Sequence, residues 1–347
     1  MKNNYDEYSA KKLFEKKKIL ITGGTGSIGK IAVQEILKFN PAVIRILDVD
    51  ETREADMRYD LKGYSSIRFL LGDIRDKERL KRAVEDIDII FHFASLKHVS
   101  GCEYNPMEAV KTNVIGTQNL IDVALDEEVE KVVFTSSDKA VNPCNVLGAT
   151  KLLAEKLITA ANYYRGARKT VFCSTRFGNV MGSRGSIIPL FKAQIRNGGP
   201  VTITDEKMTR FVMSVADATD LLLSAVKLAQ GGEVFVPKMH SVNIVDFAKA
   251  VINELCGPNQ DRTKINIVGR WPGEKLFEEL MTEDEAERSV ETKDLFIIKP
   301  EISEYLDTDK FKYPGAKPTK ILGYRSVDAE LLTSEQIKNL LRKENLL

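Results

Sequence analysis

The stretch that most constrains this chain is Thr22-Gly-Gly-Thr-Gly-Ser-Ile-Gly29, which continues the apolar run Lys18-Ile-Leu-Ile-Thr22 without a break. An Ile- and Leu-rich run that ends in spaced glycines and leads into an amphipathic segment, Ile28 to Phe39, reads as strand, tight turn and helix. Gly23 permits the sharp turn, Gly26 lets the backbone approach a pyrophosphate, and Gly29 allows helix and sheet to pack closely. The helix N-terminus then offers amides and a partial positive charge to phosphate oxygens. The turn predicts dinucleotide binding, with Thr25, Ser27 and Ile28 completing the loop that meets the cofactor.

The same alternation continues down the chain. Val43 to Leu47, Ile67 to Leu71, Ile87 to Phe93, Lys131 to Thr135 and Thr170 to Thr175 read as further strands. Helices are expected from Asp76 to Glu85, from about Glu108 to Leu125, and from about Ala149 to Tyr164. Continuous Ile and Val runs, rather than strict alternation, indicate strands covered on both faces, which is the habit of parallel sheets. The expected fold is therefore α/β, a Rossmann-type doubly wound parallel sheet with a smaller C-terminal substrate-binding lobe. The NAD-binding domain is expected over residues 1–176, with 213–240 returning to it. The lobe and C-terminal tail take 177–212 and 241–347.

Asp48 ends the second strand, nineteen residues beyond Gly29. A carboxylate there accepts from the adenosine ribose hydroxyls and repels a 2′-phosphate. Val49 stands where a phosphate-binding arginine would otherwise sit, so NAD is favoured over NADP, with Arg53 nearby as the counterweight. Asp73 and Ile74 end the third strand, where Asp73 can meet the adenine amino group.

With 51 basic and 50 acidic residues the net charge is +1, so no global field points to nucleic acid or membrane. An anionic substrate must be met by local arginines and amides. The four cysteines form no CxxC pair and are expected as reduced thiols, and the three histidines lack metal-ligand spacing. The first eighteen residues are polar, and the longest apolar stretch, Ile87 to Leu96, carries Asp88 and His92 and is too short to span a bilayer. A cytoplasmic protein with no bound metal is expected.

The fifth strand runs into Thr135-Ser-Ser-Asp-Lys-Ala-Val-Asn-Pro, and Lys151 follows. Short-chain dehydrogenases place a Ser or Thr here and a Tyr-xxx-Lys after it. Lys151 fits the lysine, but Leu147 occupies the tyrosine position, and an aliphatic group cannot accept a hydroxyl proton. At this point the chain resembles the UDP-N-acetylglucosamine 4,6-dehydratases of surface-polysaccharide and glycan synthesis, some of which also lack the tyrosine. The resemblance covers nearly the whole chain. It runs through Ala94-Ser-Leu-Lys-His-Val99, the segment Glu103 to Asn113, Ser137 to Pro143, Arg176 to Ser186, Met208 to Phe211, Gly232 to Lys238 and Pro272 to Lys275.

What the resemblance implies is hydride transfer from C4 of the hexose to NAD, removal of the C5 proton, departure of the C6 hydroxyl as water, and return of hydride to C6. Such a β-elimination needs a base at C5 and an acid at O6 close together. Asp138 and Lys139 match the family's acid and base. Ser137 would meet O4, Lys151 the nicotinamide ribose, and Ala94 the cofactor. The acceptor of the C4 hydroxyl proton stays open between Asp138, Lys139 and a relay through Ser137. Lys139 must be substantially neutral to act, a state that burial and neighbouring cations would favour.

Lys97, Asn179, Arg184, Arg210, Lys238 and Glu274 fall in motifs that imply contact with a UDP-sugar. His98 is either structural or part of the site. Asn113 is expected to pack a helix near the cofactor. Glu103 and Asn105 belong to the sugar pocket or to a helix-initiating loop. Trp271 stands where the family has arginine, so Arg270 either reaches round or phosphate contact weakens there. A homo-oligomer is implied. Competing readings are a UDP-sugar 4-epimerase and a non-catalytic nucleotide-sensing protein.

Overall fold

In a computed structural model, which describes residues 7–257, 263–302, 307, 309 and 311–347, the glycine turn joins β1 (Lys18–Thr22) to a helix at Ser27–Leu37. β2 (Val43–Asp48), β3 (Ile67–Leu71), β4 (Ile89–His92), β5 (Lys131–Ser137) and β6 (Val171–Phe177) follow. They lie side by side in the order β3-β2-β1-β4-β5-β6, all parallel, with Val234–Pro237 parallel beside β6.

The apolar runs are continuous because each strand feeds two cores. In β1, Ile19 and Ile21 pack with Ala32, Val33 and Ile36 of the first crossover helix and with Leu221 and Leu222 of the helix Val215–Leu228. Leu20 points the other way, against Leu80 and Val84 of the helix Lys77–Val84 and Leu120 and Ile121 of the helix Gly116–Asp126. Burial on both faces leaves no room for polar alternation.

Helix starts follow their caps. Asp76 accepts from the Arg79 amide at 2.9 Å, so that helix begins at Lys77. Asn145 accepts from the Gly148 amide at 2.8 Å and starts the helix Val146–Tyr164 earlier than its apolar pattern suggests. The single helix expected from Glu108 to Leu125 is divided instead. A short turn at Pro106–Ala109 leads into π-helix at Val110–Ile115 before the helix Gly116–Asp126 begins. The wider turn brings the Asn113 side chain to the loop after β4. It accepts from the Leu96 amide at 2.8 Å and donates to the Leu96 carbonyl and to Thr150 Oγ1.

The C-terminal boundary needs correction. The expected lobe and C-terminal tail span 241–347, yet Ser289–Glu291, Leu295–Ile298 and Lys317–Pro318 extend the main sheet antiparallel beyond Val234–Pro237, making ten strands. Leu295–Ile298 is buried throughout, an apolar run that could only be satisfied inside the sheet. What remains outside is a smaller core of Phe191, Phe247, Val251, Ile337 and Leu341, carried by the helices Ile187–Arg196, Ile244–Cys256 and Ser334–Lys343. Buried Arg176 near the end of β6 ties the helix Val146–Tyr164 to the helical turn before Ser289–Glu291, donating to Glu155 at 2.7 and 3.0 Å and to Glu285 at 2.7 and 2.8 Å. All four cysteines are free, and no metal-holding cluster occurs among the described residues.

Candidate active site

Strand order reverses between β1 and β4, and the carboxyl ends of the strands open there into a cleft of about 730 Å³. Gly23, Gly26, Ser27, Ile28 and Gly29 line one end. Gly23 has φ of +66°, and a Cβ on it would come within 2.7 Å of the Ala94 nitrogen. A Cβ on Gly29 would meet the Gly24 Cα at 2.5 Å, so the turn and its helix could not pack this closely with any other residue.

Asp48 and Asp73 also reach this end, with Ile74 and Ala94 beside them. Asp48 Oδ2 accepts from Thr25 N at 3.0 Å and Thr25 Oγ1 at 2.6 Å. Thr25 is fully buried, so it braces Asp48 rather than touching a ligand. Burial works to raise the Asp73 pKa, but hydrogen bonds and charge from Arg75 outweigh it and hold the carboxyl below its ordinary value. Arg75 donates to Asp73 at 2.6 and 2.8 Å and to Glu108 at 2.8 Å.

The other end is built on β5, which runs to Ser137 rather than stopping at Thr135. Ser137 Oγ accepts the Lys139 amide at 3.1 Å. Asp138 is 3% exposed, and Lys139 Nζ donates to its two oxygens at 3.1 and 3.0 Å. Lys151 Nζ donates to the Thr135 carbonyl at 2.9 Å and lies 4.8 Å from the Phe134 ring centre. Burial pulls the Lys151 pKa down to about 8 against the pull of Glu155 and Cys102. Leu147 lies in a small apolar cluster with Cys102 and Ala109 and lines the cleft where a phenol would otherwise stand. His92 is fully buried between Thr22 Oγ1 at 2.7 Å and Thr117 Oγ1 at 3.1 Å, and burial depresses its pKa to about 3. It is a neutral structural histidine.

Sequence reasoning missed Glu278. Its carboxylate accepts from Asn179 Nδ2 at 2.9 Å on both oxygens and from the Phe211 amide at 3.0 Å. It lies 3.4 Å from Arg210 Nε and 3.9 Å from Lys139 Nζ. Burial and the Asp138 charge push its pKa up, against Lys139 and Arg210. The only local hint was a carboxylate in the apolar setting Leu276-Phe277-Glu278-Glu279-Leu280. This neighbour also corrects the expected electrostatics of Lys139. Burial alone would lower its pKa, but Asp138 and Glu278 outweigh burial and the nearby Arg210, and the net direction is upward.

The residues expected at the sugar nucleotide divide. Lys97, Asn179 and Arg184 line the cleft. Arg184 leans over the glycine turn, donating to the Thr25 carbonyl at 2.7 Å, and Lys97 donates to the Arg184 carbonyl at 2.7 Å. These two cations therefore sit at the glycine-turn end of the cleft rather than apart from it. Burial, then Arg184 and Arg53, lowers the Lys97 pKa.

Arg210, Lys238 and Glu274 are outside the cleft lining. Arg210 is held between Glu278 and Glu274, the latter 3.6 Å away, and donates to the Lys275 carbonyl at 3.0 Å. Lys238 pairs with Glu291 at 2.5 Å over the Phe296 ring. Glu274 accepts from Thr204 Oγ1 and the Trp271 amide and braces its own loop. Charges in short motifs found protein partners across the fold, which spacing along the chain does not reveal. Trp271 is 69% exposed, and Arg270 faces Asp205 at 3.8 Å rather than reaching round it. Glu103 accepts the Val146 amide at 2.6 Å and so serves the helix start, while His98 precedes the helix Val99–Tyr104 and lines the cleft without a side-chain hydrogen bond to that helix start.

A family model described as polysaccharide biosynthesis protein matches residues 19–300. An uncharacterized membrane protein of Methanocaldococcus jannaschii is 53% identical over 95% of this chain and 96% of its own length. No helix among the described residues is long and apolar enough to cross a membrane. The UDP-N-acetylglucosamine 4,6-dehydratase (inverting) of Campylobacter jejuni is 42% identical over 86% of each chain. The UDP-glucose 4-epimerase of Rickettsia rickettsii is 39% identical over 95% of this chain and 96% of its own. Among solved structures, Pen from Bacillus thuringiensis is 44% identical with a TM-score of 0.90, covering 96% of this chain and 99% of that one.

Proposed function

The chain belongs to the polysaccharide biosynthesis protein family, and from that membership and the cleft geometry we propose an NAD-dependent 4,6-dehydratase acting on a UDP-N-acetylhexosamine, first of all UDP-N-acetylglucosamine. One observation carries the reading. A buried Asp138 bridged by Lys139 shares one cleft with the glycine turn, while Leu147 removes the phenol that simple alcohol oxidation would use.

The residues present fit the dinucleotide. A Cβ on Gly26 would come 2.9 Å from the Gly23 carbonyl, so the turn keeps its backbone bare toward the cleft. Gly23, Gly26, Ser27 and the helix behind them would hold the pyrophosphate, Asp48 the adenosine ribose, and Lys151 the nicotinamide ribose. Asp48 supports NAD over NADP because a fixed carboxylate repels a 2′-phosphate. When bound, NAD accepts hydride from C4 and returns it to C6. The chain's own groups do the rest. Ser137 orients O4, and the C4 hydroxyl proton passes to the Asp138 carboxylate. Lys139, in its neutral form, takes the C5 proton made acidic by the C4 ketone. Asp138 gives its proton to the departing O6 so that water leaves, and Lys139 returns a proton to C5 as hydride reaches C6. A positioned acid or base of this kind contributes about 10²–10⁴-fold.

The test is incubation of purified protein with UDP-N-acetylglucosamine, followed by mass spectrometry and proton NMR. A product lighter by one water, with no net growth of NADH absorbance, supports the reading. An isomer of unchanged mass would make the protein a 4-epimerase, the activity named for its Rickettsia relative. Binding without turnover would leave a nucleotide-sensing protein. Steady accumulation of NADH would mean an ordinary dehydrogenase.

A further inference from the structure

Glu278 arrives from a segment more than a hundred residues after β5, immediately before the strand Glu279–Met281. That segment straps the catalytic turn. Lys275 Nζ donates to the Val141 carbonyl at 2.5 Å, Asn142 Nδ2 donates to Glu279 at 2.5 Å, and Asn145 Nδ2 donates to the Gly273 carbonyl at 2.9 Å. The strap leaves Glu278 with 5% side-chain exposure and its carboxylate 3.9 Å from Lys139 Nζ, which also donates to Asp138 at 3.0 Å.

We propose that Glu278 is a positioning residue that, with Asp138, clasps the Lys139 ammonium and so decides when Lys139 is free to act as a base. The proposal rests on the dehydratase reading for its consequence in turnover, but the clasp itself is a property of the fold. Four charged groups make the cluster: Asp138 and Lys139 on the turn after β5, Arg210 on the strand Thr209–Met213, and Glu278. Asn179 adds a neutral amide, and Glu274 stands behind Arg210 at 3.6 Å. Two carboxylates against two cations balance within these four groups, and Glu274 adds a further negative charge beside Arg210. Taking the proton from Lys139 therefore leaves uncompensated negative charge in a largely buried site, which is costly. The upward direction of the Lys139 pKa agrees with this balance. Glu278 cannot swing away to relieve it, because Asn179 and the Phe211 amide hold both oxygens.

The experiment follows the Lys139 side chain directly by NMR in protein carrying ¹³C-labelled lysine, with the signal assigned by its loss in Lys139→Met. In the wild type the signal stays at its ammonium position up to the ordinary lysine value of 10.5 or beyond. In Glu278→Gln it begins to move about 1–3 pH units lower than in the wild type, the range an opposite charge at this distance commands. Glu278→Asp keeps a carboxylate but retracts it, so its shift falls between the two. If Glu278→Gln does not fold by circular dichroism, Glu278→Asp alone must titrate below the wild type. An unmoved titration overturns the proposal, whether or not the protein dehydrates the sugar. If the wild type turns over, the alkaline rise of kcat moves downward by the same amount in Glu278→Gln. A loss of kcat at every pH with the rise unmoved means a merely structural carboxylate and also overturns the proposal.

Discussion

Replacing Lys139 by Met removes the ammonium and keeps most of the aliphatic stem, so it separates charge from packing. In the folded protein Nζ lies 3.0 and 3.1 Å from the Asp138 oxygens and 3.9 Å from Glu278. Without it, Asp138 remains 3% exposed with its principal cation gone, while Glu278 keeps Arg210. Removing one partner from a buried pair costs about 3–5 kcal/mol. The Lys139 side chain is 31% exposed, so the loss is discounted to about 1–3 kcal/mol. Its pKa is raised on folding, so the stability it contributes is complete below the ordinary lysine value and disappears as pH rises through the folded value. The variant lacks that alkaline loss. In catalysis the missing base is worth about 10²–10⁴-fold, or about 2.7–5.5 kcal/mol of barrier. Urea unfolding at pH 7 and at alkaline pH measures the first effect. Turnover of UDP-N-acetylglucosamine in D₂O, with deuterium at C5 followed by NMR, measures the second, and calorimetry confirms retained nucleotide binding. Near-normal turnover and C5 exchange would refute the argument and move the base to another cation lining the cleft, such as Lys97.

Three other variants probe separate parts of the structure. His92 is buried and neutral with its pKa depressed to about 3, so the unfolded chain takes up the proton first as pH falls below about 6.5. Stability should drop by about 2 kcal/mol between pH 7 and pH 5 from this group alone, and His92→Gln should remove that share of the drop in urea midpoints. Wild-type protein should bind NAD more tightly than NADP by calorimetry, and Asp48→Ala with Val49→Arg should reverse the preference. Because Asp48 also holds Thr25, the double variant should bind NAD more weakly as well, and unchanged NAD affinity would contradict its place at the turn. Arg210→Met should cost about 3 kcal/mol of stability by stranding Glu278 and Glu274. A rise in KM for the sugar nucleotide with no loss of stability would instead put Arg210 on the substrate.

The parts of this protein that its sequence determined by itself are those whose causes are local. The glycine turn was legible because a Cβ at Gly23 or Gly29 collides with atoms of the same turn or the adjoining strand end. β1 and β4 were legible because burial on two faces leaves apolar runs, and β2 and β3 keep that signal although Arg45 and Arg68 interrupt them. The adjacency of Asp138 and Lys139, and the aliphatic group at Leu147, stood in the chain itself. Tertiary structure decided everything that depends on who stands opposite. It set Leu295–Ile298 into the main sheet, because pairing with Val234–Pro237 is a contact between distant segments. It turned Val110–Ile115 into a π-helical stretch, where Asn113 satisfies the Leu96 backbone. It engaged Arg210 and Lys238 with Glu278 and Glu291, although both fall in motifs that imply contact with a UDP-sugar. Above all it brought Glu278 to Lys139. Periodicity records which face of an element is apolar, but a charge carries no mark of its partner. The state of the lysine assigned as base is therefore set by a residue that folding alone delivers.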